Sequence, residues 1–334
     1  MDGICTLAND KVYDQLVALI NSIEAIYGKE MPVCVYPYDD NIEQITQEIA
    51  CRPHVQIYDN QESIHCWDEF VRNVWDAHPT AQQEWRKVSQ EKYHRFGTHR
   101  RYGAFDGPFD RFVYMDADTL LMSPLDKIFN QLNYHDWVVY DFQYTDLSHV
   151  YQEKSPKLTE VFSVARLKKE IFCSGFYASR KNIFPLELRD SLLENLRQGE
   201  AEILYPFAPD QTIVNYMVMR SGISSCNLAL HLPADEKTGC CVTSNHFLGE
   251  DNILYDKGNR LTYIHYIGLS SKLFHQVCKG ENIDFPYRDI FLHYRYLHEP
   301  EKRPKFTTKP KAYNASPSLG TRILKKLGLA VGHK

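Results

Sequence analysis

The sequence predicts an α/β fold built on a largely parallel sheet. The first observation is that short apolar runs alternate with segments whose apolar residues recur at the spacing of an α-helix. Strands that alternate with helices along a chain tend to pair side by side and run parallel. The second observation is that 43% of the 334 residues are hydrophobic, which is enough for a sizeable core. At this length the chain holds one large α/β domain or two small ones.

The N-terminal part alternates most regularly. Its predicted elements, in order, are a strand at 3–8, a helix at 12–27, a strand at 32–38, a helix at 42–49 and a strand at 55–58. In parallel sheets ligands bind beyond the carboxyl ends of the strands, so Thr6, Ala8 and Asn9 lie where a nucleotide base would sit. The alternative is a plain strand-to-helix turn in which Asn9 only caps the helix.

The remainder of the chain continues with both kinds of element. Residues 63–101 are polar and aromatic with a helical pattern, and residues 143–169 are mixed in character and rich in Tyr, Glu and Lys. We expect the second of these segments to bind an acceptor. The other predicted elements are strands at 112–115, 137–142, 171–179 and 261–265, and helices at 125–132, at 184–196 and from Pro209 onward.

A pair of acids ends the strand at 112–115. Asp116 and Asp118 are separated by Ala117, and a second apolar run follows them. Acids at i and i+2 of an extended segment project from the same face, where they repel each other. Their burial is costly unless a cation compensates, and Mg²⁺ and Mn²⁺ prefer oxygen ligands. The pair therefore indicates a metal site, and a solvated loop with two chance acids is the alternative.

The segment around these acids indicates a protein family more specifically than the two acids alone. Val-Tyr-Met-Asp-Ala-Asp-Thr-Leu-Leu at 113–121 resembles the metal-binding segment of sugar-nucleotide-dependent glycosyltransferases of the GT-A fold, in the group that contains glycogenin and the lipopolysaccharide galactosyltransferases. Ser174-Gly175 resembles a small pair that lies against the donor sugar in that group, although Cys173 replaces the usual Asn before it.

Three further segments follow the order of the same family. Asp210-Gln211 resembles the pair that opens a helix at the active site, although both residues also serve as ordinary helix caps. His265 and Gly268 match the start of a His-x-x-Gly-x-x-Lys segment, in which Lys272 arrives one residue late. Arg100 occupies the position of a basic residue that holds the nucleotide, and a structural arginine is the alternative.

The resemblance implies a GT-A domain over residues 1–300, with a mixed sheet flanked by helices. It also implies a UDP-sugar donor, Mn²⁺ or Mg²⁺, and transfer of a hexose with retention of configuration to a glycan, lipid-linked or small-molecule acceptor. The implied metal ligands are Asp116, Asp118 and His265, and the implied catalytic residues are Asp210 and Gln211. The implied substrate-binding residues are Thr6, Ala8, Asn9, Arg100, Asp116, Ala117, Ser174, Gly175, Gly268 and Lys272.

Two other functions remain open from the sequence. A sugar-nucleotide nucleotidyltransferase uses similar metal carboxylates, but it usually carries a Gly-rich phosphate loop, and none follows the first strand. A non-catalytic sugar-nucleotide binder is the other alternative.

Charge and cysteine content bear on partners and location. The net charge of −5, with no long basic stripe in the first 300 residues, argues against a nucleic-acid partner. The nine cysteines are odd in number and lack a Cys-x-x-Cys pair, and no leader precedes the first strand, so we expect reduced thiols in the cytoplasm. Residues 301–334 form a basic tail whose end fits either a peripheral membrane helix or a flexible segment.

Overall fold

The computed structural model describes residues 1–314. Its strands are β1 (Asp2–Ala8), β2 (Val33–Pro37), β3 (Val55–Ile57), β4 (Arg111–Met115), β5 (Thr119–Leu121), β6 (Trp137–Val139), β7 (Phe176–Arg180), β8 (Ser225–Asn227), β9 (Leu248–Glu250), β10 (Ile253–Asp256), β11 (Asn259–Arg260), β12 (Tyr263–His265), β13 (Ile283–Asp284) and β14 (Lys311–Ala312).

The α-helices surround these strands. They are α1 (Tyr13–Tyr27), α2 (Glu43–Ala50), α3 (Gln61–Ala77), α4 (Ala81–Trp85), α5 (Asp126–Gln131), α6 (Lys157–Val161), α7 (Val164–Leu167), α8 (Leu186–Arg197), α9 (Pro209–Ser221), α10 (Leu228–His231), α11 (Ser271–Cys278) and α12 (Arg288–Arg295). A 3-10 segment at Thr98–Asp106 precedes β4. Within residues 1–314, no helix combines the length and the hydrophobicity that a membrane-spanning helix needs.

The main sheet has seven strands in the order β3-β2-β1-β4-β7-β6-β8. Strands β1 to β4 run parallel, β7 runs antiparallel to β4 and β6, and β8 runs parallel to β6. The sheet is therefore mixed, and the predicted α/β fold class is confirmed. From β1 the chain adds β2 and β3 on one side and then β4 on the other, so the order of strands in the sheet switches between β1 and β4. In α/β sheets ligands bind beyond the carboxyl ends of the strands at such a switch point.

Side chains alternate between the two faces of β4. Phe112 and Tyr114 join an apolar cluster with α3, α8 and α9, whereas Val113 and Met115 join another with α1, α2 and α5. All four side chains are completely buried. This alternation places the sheet between two helical layers, and it makes β4 a rigid support for the acids that follow it.

The C-terminal part of the domain packs on α1 and brings β12 beside β5. The two strands pair antiparallel, and His265 lies opposite Thr119. The Asn21 side chain donates a 2.7 Å hydrogen bond to the Tyr294 carbonyl, and Arg295 pairs with Asp14 at 2.8 Å. These contacts hold a segment from the far end of the chain next to the acidic turn.

Two predicted strands are shorter in the structure. The strand predicted at 171–179 begins only at Phe176, so Ser174 and Gly175 precede it instead of interrupting it. The reason is that backbone N–H groups here bond to side chains: Cys173 N donates to Asp141 Oδ2 at 3.3 Å and Ser174 N donates to Gln211 Oε1 at 3.1 Å. The strand predicted at 137–142 likewise ends at Val139.

The predicted division of the chain at residue 300 falls just before a short extension of the fold. Strand β14 pairs with β13, which keeps residues 311–312 in contact with the domain. Residues 315–334, on which the predicted membrane or flexible tail mainly rests, lie outside the described part of the chain.

Candidate active site

The three predicted metal ligands come together at one end of the sheet. Asp116 follows β4, Asp118 lies in the turn before β5, and His265 ends β12. One ligand atom from each of the three lies within 4.8 Å of the others, and His265 Nε2 is 3.3 Å from Asp118 Oδ1. The backbone reinforces this turn, because Tyr266 N donates to the Asp118 carbonyl at 2.9 Å.

The two oxygens of Asp116 have different surroundings. Its Oδ1 accepts a hydrogen bond from the Tyr114 hydroxyl at 2.9 Å and lies 3.1 Å from Arg101 Nη2. Its Oδ2 faces Gly175, where an added Cβ would lie 2.9 Å from that oxygen and would collide with the His265 ring. Glycine thus leaves a small space between a carboxylate oxygen and an imidazole, and two carboxylates with one imidazole suit Mn²⁺. The residues fit a divalent cation.

A buried arginine that the sequence analysis did not single out sits at the centre of the site. Arg101 is 4% exposed and lies 3.1 Å from both Asp116 Oδ1 and Asp210 Oδ2. It also donates to the Ser174 carbonyl at 2.9 Å and lies over the Tyr114 ring at 4.8 Å. Arg101 therefore joins the acidic turn to the start of α9.

Arg100, the arginine we predicted to hold the nucleotide, points elsewhere. Its guanidinium forms two hydrogen bonds to the carboxylate of Asp68, at 3.0 and 3.2 Å. Successive residues of a 3-10 helix project about 120° apart, so adjacent arginines in the segment Thr98–Asp106 face different sides. In this structure Arg100 pairs with Asp68, and its neighbour Arg101 enters the site, so the contact of Arg100 with the nucleotide stays a prediction.

Asp210 and Gln211 lie in the first turn of α9, beside the acidic turn. Ser174 Oγ donates to Asp210 Oδ2 at 3.4 Å, and the Tyr102 hydroxyl donates to the Asp210 carbonyl at 2.5 Å. The Gln211 amide is used at both ends, because its Oε1 accepts from Ser174 N and its Nε2 donates to the His149 carbonyl at 3.0 Å. The structure thus brings Asp210, Gln211, Ser174 and Gly175 to the predicted metal ligands.

The charges of the site act on one another. Burial raises the pKa of Asp116 although Arg101 opposes the rise, and the same burial effect on Asp118 is outweighed by His265, so that the pKa of Asp118 is lowered. Burial alone would lower the pKa of His265, but Asp118 keeps that pKa well above its usual value. Arg101 likewise outweighs burial at Asp210 and lowers its pKa. Asp210 is therefore a carboxylate at neutral pH.

A cleft of about 320 Å³ opens beside the acidic turn. Its lining residues are Leu7, Ala8, Asn9, Lys11, Val12, Gln15, Tyr38, Arg95, Thr98, Arg101, Asp116, Ala117, Asp118, Leu269 and Ser271. Another cavity, of about 380 Å³, lies between α5 and α10 and contains none of the predicted site residues.

Four of the ten predicted substrate-binding residues line this cleft, and six do not: Thr6, Arg100, Ser174, Gly175, Gly268 and Lys272. Thr6 is completely buried within β1. Gly268 lies outside the lining and adopts a φ of +81°. Lys272 is the second residue of α11, and its side chain is exposed outside the cleft. Ser271, which occupies the lysine position of the motif, lines the cleft together with Leu269.

Asp141, a buried acid near the site, is a further residue that the sequence analysis did not single out. Asp141 is 3% exposed, and its carboxylate accepts N–H groups from Gln143 at 2.7 Å and from Cys173 at 3.3 Å. Burial raises the pKa of Asp141 to about 7, although both hydrogen bonds oppose the rise. The only sequence signal was its position after a strand whose carboxyl end shares the edge of the sheet with β4.

Comparison with known proteins identifies the family. Residues 1–208 match the sequence profile of a family described as "Mannosyltransferase putative". The chain belongs to this mannosyltransferase family. No curated protein matches the sequence. The family confirms the predicted enzyme class, a glycosyltransferase.

One solved structure supports the fold, and two others are similar at a lower score. The WbbM bifunctional glycosyltransferase has a TM-score of 0.53 at 14% identity, over 90% of this chain and 51% of its own, so the chain spans about half the length of WbbM. The galactosyltransferase LgtC has a TM-score of 0.49 at 15% identity, over 83% of this chain and 94% of its own. The glycosyltransferase GlyE of Streptococcus pneumoniae has a TM-score of 0.46 at 11% identity, over 92% of this chain and 65% of its own. The predicted GT-A fold is confirmed.

Proposed function

We propose that this glycosyltransferase transfers a hexosyl group from a nucleoside diphosphate sugar to an acceptor, with retention of configuration, and that it requires Mn²⁺ or Mg²⁺. The observation that carries the proposal is the convergence of Asp116, Asp118 and His265, of which the two acids line the cleft. The motif resemblance favours a UDP-sugar donor, whereas the family description favours a mannosyl group. The acceptor is a glycan, a lipid-linked glycan or a small molecule.

The chemistry requires positive charge near the leaving group. Breaking the bond between sugar and phosphate moves negative charge onto the diphosphate, and a divalent cation held by the three ligands would neutralise that charge. The chain prepares this site by fixing its ligands. Tyr114 and Arg101 occupy one oxygen of Asp116 and leave the other facing His265 and Gly175.

Asp210 and Gln211 have separate roles in this proposal. The sugar passes through a state with oxocarbenium character, which the Asp210 carboxylate stabilises. Arg101 supports this role because it lowers the pKa of Asp210 and keeps the group ionised. Gln211 is a neutral amide and a weak nucleophile, and both of its ends are already hydrogen-bonded. We therefore favour attack by the acceptor on the face that the leaving group departs from, with Gln211 positioning the donor.

The test measures release of nucleoside diphosphate with water as the acceptor. The donors are UDP-glucose, UDP-galactose, UDP-N-acetylglucosamine and GDP-mannose, each with Mn²⁺ and with EDTA. We expect release from one donor only, its loss in EDTA, and a fall of at least about 100-fold in Asp118→Asn, because this variant removes a ligand charge. Asp126→Asn is the matched control, since Asp126 is an exposed acid outside the cleft.

Each other outcome has a distinct meaning. Binding of UDP or GDP with Mn²⁺, but no turnover of any donor, would favour the non-catalytic binder. Formation of a sugar nucleotide from a nucleoside triphosphate and a sugar phosphate would favour the nucleotidyltransferase. The absence of both release and nucleotide binding would contradict the assignment of Asp116 and Asp118.

A further inference from the structure

The cleft contains positive charge beyond the residues considered so far. Three basic residues line it: Lys11, Arg95 and Arg101. Arg101 is committed to Asp116 and Asp210. Lys272, to which the motif resemblance gives a contact with the diphosphate, is exposed outside the lining. The cleft therefore depends on other side chains to meet an anionic ligand.

Within the described residues, Arg95 lacks the ion pairs that the nearby arginines Arg100 and Arg101 form. Arg100 pairs with Asp68 at 3.0 Å and Arg101 pairs with two carboxylates. Among residues 1–314, by contrast, the Arg95 guanidinium has neither an ion pair nor a hydrogen-bond partner. The same holds for the Lys11 ammonium within that range. Two free cations thus face a cleft that also presents Asp116 and Asp118.

The charge of Arg95 acts on both ends of the cleft. It opposes the rise that burial causes in the pKa of Tyr38, and it helps Arg101 to lower the pKa of Asp210. Tyr38 lies at the nucleoside end, because its N–H donates to the Ala8 carbonyl at 2.9 Å beyond β1. Asp210 lies at the proposed sugar end. An extended nucleotide sugar places its phosphates between these two ends.

The backbone holds Arg95 at the wall of the cleft. Arg95 adopts a φ of +49°, a left-handed conformation that is unfavourable for a residue other than glycine. Thr98 donates to the Arg95 carbonyl through its N–H at 3.2 Å and its hydroxyl at 3.0 Å. Gly97, at a φ of +115°, approaches the Tyr38 carbonyl so closely that a side chain there would collide with it. The turn is therefore closed by the Thr98 hydrogen bonds and packs against the Tyr38 backbone.

We propose that Arg95, assisted by Lys11, binds the phosphate groups of the nucleotide donor and supplies the charge that Lys272 does not bring to the cleft. This inference rests on the proposed function. The planar guanidinium offers paired donors that match phosphate oxygens, whereas the lysine contributes a point charge. Arg95 is accordingly a substrate-binding residue of the proposed reaction.

Calorimetry with nucleotides of different charge tests the inference. UDP, GDP, UMP, GMP, uridine and guanosine are titrated in Mn²⁺ into the wild type, Arg95→Gln and Arg95→Lys. We expect the glutamine variant to bind the preferred diphosphate about tenfold more weakly, with less than a twofold change for its nucleoside, and the lysine variant to retain part of the affinity. Arg86→Gln is the control, because Arg86 is an exposed arginine that precedes the same turn and lies outside the cleft.

The results separate this inference from the proposed function. If the wild type binds no nucleoside diphosphate, the proposed function fails and the inference fails with it. If the wild type binds and Arg95→Gln binds equally well, only the inference fails. An equal loss for nucleoside and diphosphate would show a structural role and would also overturn it, as would unchanged binding combined with slower donor hydrolysis.

Discussion

Two buried ionic clusters lie on different sides of the 3-10 segment Thr98–Asp106. In the first, the Asp68 cluster, one carboxylate lies 2.7 Å from His99 and 3.0 Å from Arg100. In the second, the Asp210 cluster, the single guanidinium of Arg101 serves the two carboxylates of Asp116 and Asp210. Both clusters consist of acidic and basic side chains. In the first, two basic side chains contact one carboxylate, whereas in the second one guanidinium is shared by two carboxylates.

The balance of charge explains the different properties of the two clusters. Although burial opposes it, the hydrogen bonds of His99 and Arg100 lower the pKa of Asp68 to about 2. Burial instead raises the pKa of Asp116, because Arg101 is shared and Asp118 adds a like charge. A balanced cluster stabilises the fold by itself. The cluster with surplus carboxylate is the one at which we propose that a divalent cation binds.

The largest expected effect follows from removing the shared arginine. Arg101→Gln leaves Asp116 and Asp210 without their buried cation, so we expect the free energy of unfolding to fall by about 3–5 kcal/mol. We also expect donor hydrolysis to fall at least about 100-fold, because both carboxylates lose their fixed orientation. Urea denaturation gives the first quantity, and nucleotide release below the melting temperature gives the second.

A conservative variant separates charge from geometry at this position. Arg101→Lys keeps a cation but loses the fork that spans both carboxylates, so stability should recover more than activity does. If Arg101→Gln is as stable and active as the wild type, the Asp210 cluster needs no internal cation. The proposed difference between the two clusters would then be wrong.

The next effect concerns the balanced cluster. Arg100→Met removes one partner of Asp68, and we expect it to lower the free energy of unfolding by about 1–2 kcal/mol at pH 7 while donor hydrolysis changes less than about twofold. The variant protein should refold with the same nucleotide affinity. A large loss of activity at unchanged stability would instead support the predicted role of Arg100 in nucleotide binding.

The same variant has a distinct dependence on pH. Because the pKa of Asp68 is lowered in the folded state to about 2, its stabilising contribution is present above the unfolded pKa of about 4 and is lost as the pH falls from there toward 2. Without Arg100 the two pKa values lie closer together. Urea denaturation between pH 5 and pH 2.5 should therefore show a smaller loss of stability in the variant than in the wild type.

The smallest effect is expected at Lys272. Its side chain is exposed and outside the cleft, so Lys272→Ala should change diphosphate affinity and donor hydrolysis by less than about twofold. The measurement is the same calorimetric titration with UDP and GDP. A tenfold loss would mean that α11 moves when the donor binds, and it would weaken the assignment of phosphate binding to Arg95.

Much of the fold could be predicted from local pattern. The strand–helix alternation of the first sixty or so residues matches β1, α1, β2, α2 and β3 to within a few residues, because side-chain periodicity depends only on nearby sequence. The strand before Asp116 was recognisable for the same reason. Strand ends were less predictable where side chains from distant helices take the backbone hydrogen bonds, as Gln211 does at Ser174.

The sequence by itself determined the acidic turn: an apolar strand must end where two carboxylates follow it, whatever surrounds them. The tertiary structure alone decided which basic residues meet that turn. Arg100 and Arg101 are equivalent in pattern, and only the packing of the 3-10 segment between α3 and β4 directs one toward Asp68 and the other toward Asp210. His265 reaches Asp118 because β12 pairs with β5. Such contacts depend on distances between remote segments, and local periodicity carries no information about those distances.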